Sequence, residues 1–128
     1  MNYGKNDKIT NFTDLNAWKY GHQLVLNIYK ITDKFPDKER FSLIDQMRRA
    51  VVSITSNIAE GFSRKSSKEK SQFYSMSLGS LTELQNQLMV ARDVRYLRLD
   101  DYQVAHDLSV VVSKIINGLI KGVINRNS

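Results

Sequence analysis

Apolar residues recur every three or four positions along most of this chain, which is the spacing of one face of an α-helix. One such stripe consists of Ile44, Met47, Val51, Ile54 and Ile58. It predicts a helix over residues 43–60, which Gly61 would end because glycine commonly follows the last helical turn. Asn57 and Glu60 lie beside the stripe, so we expect them either in solvent or in hydrogen bonds to side chains of other helices.

An earlier helix is predicted by a stripe that consists of Trp18, Leu24, Ile28, Ile31 and Phe35. It should begin near Thr13 or Asp14, either of which can cap it. It should end before Pro36, because proline disfavours helix at the preceding residue. Ser42 and Asp45 then resemble a capping pair for the second helix.

Two longer helices follow. Ser66 and Glu69 form a Ser-x-x-Glu capping box, which predicts a third helix over residues 67–95. Gly79 lies in its middle, where glycine costs about 1 kcal/mol relative to alanine, so we expect a neighbouring helix to approach closely there. Asp100 can cap a fourth helix over residues 101–124.

Four helices joined by short turns predict an all-α, antiparallel up-down-up-down four-helix bundle. We assign residues 12–125 to the bundle, with terminal tails at 1–11 and 126–128. A hairpin between the second and third helices would place Arg48 and Arg49 opposite residues 80–83, so we expect Glu83 to pair with one of the two arginines. Asn57 and Glu60 should bond to partners on the first or third helix. The predicted structural polar network consists of Arg48, Arg49, Asn57, Glu60, Ser80 and Glu83.

The fourth helix has more apolar surface than a helix in a monomeric bundle needs. Its apolar positions are Val104, Leu108, Val111, Val112, Ile115, Ile116, Leu119, Ile120, Val123 and Ile124. Two interpretations remain open: deep burial within one chain, or a second face that is covered by another subunit. We favour the second, and therefore expect a homo-oligomer.

The composition fits one soluble domain of 128 residues with 41% hydrophobic residues. The chain has no cysteine, which excludes disulfides and thiolate metal sites and fits a cytoplasmic protein. No signal peptide and no membrane-spanning run is recognisable.

The net charge of +6 comes mainly from residues 63–99, which carry seven basic and three acidic side chains. The basic residues form two clusters. They are Arg64, Lys65, Lys68 and Lys70, and then Arg92, Arg95 and Arg98. Each cluster is either a solvated surface or a binding site for RNA or DNA. Few aromatic residues are interleaved with them, so we expect binding to the nucleic-acid backbone without base readout.

The sequence favours a protein without enzymatic activity, metal or cofactor. A di-iron bundle needs Glu-x-x-His on two helices, and neither His22 nor His106 follows a glutamate by three positions. No glycine-rich phosphate loop is present. Arg98 and His106 only approach the Arg–His spacing of four-helix toxin ribonucleases, so an RNA-cleaving enzyme is the weakest alternative.

Several motifs together resemble a known family. They are Phe35-Pro36, residues 39–43, residues 46–50, Asn57-Ile58-Ala59-Glu60-Gly61, Gly79-Ser80-Leu81-x-Glu83-Leu84 and Tyr96-Leu97. The chain resembles the four-helix-bundle proteins encoded in intervening sequences of bacterial 23S ribosomal RNA genes, also labelled S23 ribosomal protein. Arg95 departs from the small residue, often glycine, that the resemblance leads us to expect.

The resemblance implies a ring-like homopentamer without established enzyme activity. It also implies similarity in fold to the accessory protein of diversity-generating retroelements, which binds a reverse transcriptase and nucleic acid through a basic surface. Two functions are therefore expected: an oligomeric bundle that binds RNA or DNA, or an adaptor for a polymerase-like protein partner.

Overall fold

The computed structural model describes residues 8–125 of the chain, and these residues form four long α-helices without a strand. The helices are α1 (Asn16–Thr32), α2 (Leu43–Ser63), α3 (Ser67–Asp93) and α4 (Leu99–Asn125). Two short 3₁₀ helices, Phe12–Asp14 and Asp37–Glu39, precede α1 and α2. The predicted all-helical fold is confirmed. The predicted tails include residues 1–7 and 126–128, which lie outside the described residues.

Each helix packs against its neighbours in the chain, and α1 also packs against α4. In the described parts of the diagonal pairs, α1 with α3 and α2 with α4, no Cα atoms lie within 8 Å of each other. The four helices therefore surround one core. Its largest fully buried side chains are Tyr74, Leu24, Ile28, Met47, Ile54, Ile58, Leu81, Leu84, Leu88, Ile116, Val51 and Val112.

The contacts between α1 and α2 show their relative register. Gly21, early in α1, faces Thr55 late in α2, where an added Cβ would lie 3.0 Å from the Thr55 methyl group. At the other end, the Nε atom of Arg48 donates a hydrogen bond of 3.0 Å to Thr32. Residue numbers therefore rise along α1 while those of the contacting α2 residues fall.

The same relation holds for the other neighbouring pairs, each of which has two contacts along its length. One contact of each pair is Gly61 with Tyr74, Arg92 with Tyr102, and Ala17 beside Leu119. Ser77 of α3 donates a 2.8 Å hydrogen bond to the carbonyl oxygen of Ile54, and Gln85 of α3 donates one of 3.0 Å to Ser109 of α4. Between α1 and α4, Lys34 forms a 3.6 Å ion pair with Asp101.

The beginning of α1 differs from the prediction. Neither Thr13 nor Asp14 caps α1, because Leu15 occupies the N-cap position without a side-chain hydrogen bond. Asn11 instead caps the preceding 3₁₀ helix, and the Asp14 carboxylate accepts hydrogen bonds from Thr10 and from the Asn11 amide. These bonds lower the pKa of Asp14.

Gly61 does not end α2, which continues to Ser63. A Cβ atom at Gly61 would lie 2.7 Å from Cε1 of Tyr74 and 3.0 Å from Cβ of Phe73. Glycine is therefore required at this position by the close approach of α3. The prediction treated this glycine as a helix terminator, whereas it is a helix contact.

The prediction for Gly79 is wrong in the opposite sense, because a close helix contact was expected there. No atom lies within 4 Å of a Cβ built at this position, so the expected close neighbour is not present in the described part of the chain. Ser42 occupies the N-cap position of α2 as predicted, but the capping pair with Asp45 does not form, because the Ser42 hydroxyl donates to Glu39 instead. The Ser66 cap is confirmed, because its side chain accepts a hydrogen bond from the Glu69 amide.

Candidate functional site

The first basic cluster lies around the turn between α2 and α3, and two of its residues have structural partners. Arg64 follows α2 and forms ion pairs with Glu60 (3.3 Å) and Glu69 (3.9 Å). Its guanidinium also stacks 4.7 Å from the centre of the Phe73 ring. This half-buried arginine therefore joins the end of α2 to the beginning of α3.

Lys70 also stabilises this turn. Its ammonium group donates a 2.7 Å hydrogen bond to the carbonyl oxygen of Phe62, at the end of α2 where carbonyl groups lack helical partners. It lies 5.4 Å from the Phe62 ring. Lys65 and Lys68 are exposed, and within residues 8–125 neither forms an ion pair with an acidic side chain. These two lysines are therefore the side chains of this cluster that are most accessible to a ligand.

The second basic cluster lies at the turn between α3 and α4, and most of its charge is neutralised locally. Arg92 donates a 2.8 Å hydrogen bond to Asp93 and stacks 4.7 Å from the Tyr102 ring. Arg98 pairs with Asp100 at 3.1 Å. Hydrogen bonds from Arg92 and Arg98 lower the pKa values of their aspartate partners. In return, these bonds raise the pKa values of the arginines.

Arg95 is the exception in this second cluster. It is exposed, and its backbone has a positive φ of 68°, the left-handed conformation that glycine adopts without a Cβ penalty. The amide groups of Tyr96 and Leu97 both donate to the carbonyl oxygen of Ala91. These bonds close α3 and hold Arg95 in the strained conformation.

The two ends of the helical assembly differ strongly in charge. The half that carries the α2–α3 turn comprises residues 8–24, 53–80 and 112–125, with eight basic and three acidic side chains. The other half comprises residues 25–52 and 81–111, with nine basic and nine acidic side chains. The excess positive charge of the described chain therefore lies in the first half, which we call the basic end.

The predicted polar network does not form as one unit. Arg48 points toward α1, where it donates to Asp33 (2.8 Å) and Thr32 (3.0 Å) and stacks 4.5 Å from the Tyr29 ring. Arg49 pairs with Asp45 on its own helix at 2.9 Å. The predicted pairing of Glu83 with either arginine is therefore wrong.

The other predicted members are also satisfied mainly within their own helices. Glu83 is exposed and accepts a hydrogen bond from Gln87 one turn later. Asn57 donates to the Ser53 carbonyl and hydroxyl oxygens, and Glu60 binds Arg64 and Ser63. The expected partners of Asn57 and Glu60 on α1 or α3 are therefore wrong.

Ser80, like Arg48, contacts another helix, because its hydroxyl lies 2.8 Å from that of Ser53 on α2. The Ser77 bond to α2 lies one turn away, and sequence reasoning missed it. A signal was present: Ser77 falls on the buried stripe that consists of Tyr74, Ser77, Leu81, Leu84, Leu88 and Ala91. A serine at a core position of a helix implies a buried hydrogen bond.

The described residues contain no group of three or more potential metal ligands. None of the described helices is both long and apolar enough to cross a membrane. The two histidines are packed against aromatic rings, with His22 stacked on Trp18 at 4.7 Å and His106 on Tyr102 at 5.6 Å. His106 and Arg92 both stack on the Tyr102 ring.

The fold and the basic end define a class: a small four-helix protein whose positive charge is concentrated at one end. Residues 13–118 match the family described as 23S rRNA-intervening sequence protein. The match covers most of the chain, so this protein belongs to that family.

Comparison with solved structures agrees with this assignment at the level of the fold. The chain is similar to a protein of unknown function from the S23 ribosomal protein family of Bacteroides thetaiotaomicron, with a TM-score of 0.76 and 18% sequence identity. The similarity covers 82% of this chain and 95% of that chain. No match was found among curated proteins.

Proposed function

We propose that this protein is a non-enzymatic, antiparallel four-helix bundle that forms a ring-like homo-oligomer and binds RNA or DNA through its basic end. The opposed numbering of contacting residues in each neighbouring helix pair supports the antiparallel arrangement. The family resemblance implies five copies in the ring.

The observation that carries the proposal is the separation of charge between the two halves of the chain. Eight basic residues against three acidic ones lie at the basic end, where Lys65 and Lys68 are exposed. Exposed lysines attract the phosphate groups of a nucleic acid whatever its base sequence. Their binding releases the counterions that are condensed on the nucleic acid. In an oligomer the same weak contacts are repeated in every copy, which raises the overall affinity.

The incomplete burial of α4 supports association between copies. Val112, Ile116 and Val123 are buried by the other helices, whereas Val104 and Val111 remain 59% and 41% exposed. Leu108, Ile115, Leu119 and Ile120 are only partly buried. Neighbouring exposed apolar residues of this kind often mark a protein interface.

The experiment that tests nucleic-acid binding is a salt titration of RNA and DNA affinity. We expect a steep fall in affinity as salt increases, and a Lys65→Glu/Lys68→Glu variant with weaker binding at every salt concentration. Each phosphate contact that is lost lowers the slope of log affinity against log salt by about one. Binding that is independent of salt, or equal in wild type and variant, would contradict the proposal.

A matched control is available at the neutral end of the chain. Lys38→Glu/Arg95→Glu changes the net charge by the same amount and also replaces exposed residues. We expect this control to bind nearly as well as wild type, because the positive potential at the basic end is retained. Equal loss in both variants would mean that only net charge matters.

An adaptor for a protein partner is the second candidate function, and the uncovered face of α4 favours it. A partner protein that covers Val104 and Val111 would bury the same apolar surface. Recovery of one protein in stoichiometric amount, without nucleic acid and without association between copies, would support the adaptor function.

A further inference from the structure

Three aromatic rings at the basic end lie against one another in a row. Phe12, in the first 3₁₀ helix, makes a T-shaped contact with Trp18, with 5.7 Å between the ring centres. Trp18 stacks on His22, one turn later in α1, with 4.7 Å between the ring centres and 11° between the ring planes. We call Phe12, Trp18 and His22 the ring array.

The ring array is only partly covered by the rest of the described chain. Phe12 is 37% exposed, and Trp18 and His22 are half-buried. Trp18 also packs against the hydrophobic core, which holds the array in place on α1. The two outer rings, Phe12 and His22, therefore keep surface that another flat ring can contact.

Within residues 8–125, no arginine or lysine lies over a ring of the array. A ring that has a cation over it has one face occupied and cannot offer that face to a ligand. The cation–ring contacts of the described chain use other rings, namely Tyr29 with Arg48, Phe62 with Lys70, Phe73 with Arg64 and Tyr102 with Arg92.

The ring array lies beside the last turns of α2. Gly21, which lies between Trp18 and His22 in the chain, faces Thr55 and Ile58 of α2. The 3₁₀ helix that carries Phe12 also contacts α2. The α2–α3 turn, with its exposed lysines, begins where α2 ends, so the array and these lysines belong to the same end of the assembly.

Two lysines and one aspartate accompany the ring array in sequence. Lys8 precedes the 3₁₀ helix and is exposed, and Lys19 directly follows Trp18. Within residues 8–125 neither lysine forms an ion pair with a carboxylate. The Asp14 carboxylate accepts hydrogen bonds from residues of its own turn, so its charge is satisfied locally. The ring array therefore lies in positive surroundings.

Partly exposed rings among lysines have the chemistry that binds a single-stranded nucleic acid. The bases of a single strand are free to stack on aromatic side chains while the phosphates contact lysines. In a duplex the bases are already paired and stacked on one another. Stacking tolerates every base, so it agrees with the expected absence of base readout.

We propose that the ring array stacks with bases of a single-stranded nucleic acid whose phosphates contact Lys19 and the lysines of the α2–α3 turn. This inference rests on the nucleic-acid binding of the proposed function and specifies the form of nucleic acid that is bound. A base on Phe12 or on His22 extends the row of rings by one member.

The test compares the affinities of three fluorescently labelled probes at low salt. They are a thymidine strand of about 16 nucleotides, an abasic strand of the same length and a GC-rich blunt duplex. Phe12→Leu/His22→Leu removes the two outer rings and keeps apolar side chains. We expect this variant to lose about 5- to 150-fold in affinity for the thymidine strand for each base that stacks. Its affinity for the abasic strand and the duplex should be unchanged.

Phe41→Leu is the matched control variant. Phe41 is 90% exposed and lies in the α1–α2 turn at the neutral end. Its replacement removes an exposed ring without a change in charge, so we expect wild-type affinity for all three probes. Circular dichroism checks that each variant keeps its helical content.

Photo-cross-linking tests the contact directly in the wild-type protein. A single strand that contains 5-iodouridine is irradiated in the complex, and the cross-linked peptides are identified by mass spectrometry. Trypsin cleaves after Lys8, Lys19 and Lys30, so cross-links to Trp18 and to His22 fall in separate peptides. We expect cross-links to residues of the ring array.

The possible outcomes separate this inference from the proposed function. Loss of affinity for the thymidine strand alone, with cross-links to the ring array, supports the inference. Salt-dependent binding that the variant leaves unchanged, or cross-links only to the α2–α3 turn, would overturn it and leave the proposed function intact. Equal losses for single strand and duplex would also overturn it, because the rings would then not act on bases. No binding of any probe at low salt would overturn both.

Discussion

The hydroxyl group of Tyr96 donates a 3.1 Å hydrogen bond to the carboxylate of Glu39, and 57 residues separate the two in sequence. Glu39 lies in the α1–α2 turn and Tyr96 in the α3–α4 turn. The Tyr96 ring also packs on Phe35, with 5.9 Å between the ring centres. This contact joins the two turns at the neutral end of the assembly.

The Tyr96–Glu39 bond should make stability depend on pH. A hydrogen bond from Ser42, followed by those from Tyr96 and the Leu43 amide, lowers the pKa of Glu39. Because the pKa is lower in the folded state, the stabilisation is present at neutral pH and is lost as the pH falls through that lowered value. We expect Tyr96→Phe to lower the urea midpoint at pH 7, and to have a smaller effect once the pH is below the lowered pKa of Glu39. An equal effect in the Glu39→Gln background would contradict this.

Replacement by alanine should have opposite effects on stability at the two helical glycines Gly61 and Gly79. Gly61→Ala places a methyl group against Tyr74 and should destabilise the fold by about 1–3 kcal/mol. Gly79→Ala meets open space and should stabilise it by about 1 kcal/mol through helix propensity. Urea unfolding measures both changes in the free energy of unfolding. If both changes had the same sign, the close packing of Gly61 against Tyr74 would be contradicted.

Replacement of Arg95 by glycine should stabilise the protein. The left-handed backbone of Arg95 is unfavourable for a residue with a side chain, and glycine removes that penalty. Glycine also increases the freedom of the unfolded chain, so we expect a net gain of about 0.5–1 kcal/mol in thermal unfolding. Arg95→Ala serves as the control, because it removes the charge and keeps the strain.

Arg48 and Arg49 are adjacent in sequence, but replacement by lysine should affect stability differently at the two positions. Arg48→Lys cannot reproduce the simultaneous contacts with Thr32, Asp33 and the Tyr29 ring, so we expect a loss of about 1–2 kcal/mol. Arg49→Lys affects only an exposed pair with Asp45 and should cost less than about 0.5 kcal/mol. Equal losses in urea unfolding would refute the role of Arg48 in joining α1 and α2.

The number and approximate bounds of the helices followed from periodicity and local signals. The Ser66–Glu69 pair marked the start of α3, and Pro36 kept α1 from continuing into the next turn. Some errors concern local caps, and others concern positions that depend on the neighbouring helix. Glycine commonly ends a helix, so the sequence predicted that role for Gly61. Only its short distance to Tyr74 identifies Gly61 as a contact between α2 and α3.

The sequence predicted which residues belong to the candidate site, but it did not predict which partners they bond to. Arg48 lies at the expected height on α2 but turns toward α1, because Thr32 and Asp33 offer oxygen atoms there. Helical spacing gives the height of a side chain along the assembly. It does not determine which of two neighbouring helices supplies the partner.

The sequence by itself determined the four helices, their buried stripes and the two basic clusters, because these depend on residues close together in the chain. Only the tertiary structure decided that the first basic cluster lies at a positive end of the assembly and the second at a nearly neutral end. Charges from four separate helices meet at each end of the assembly. Their sum therefore depends on how the helices fold back on one another, which local sequence does not record.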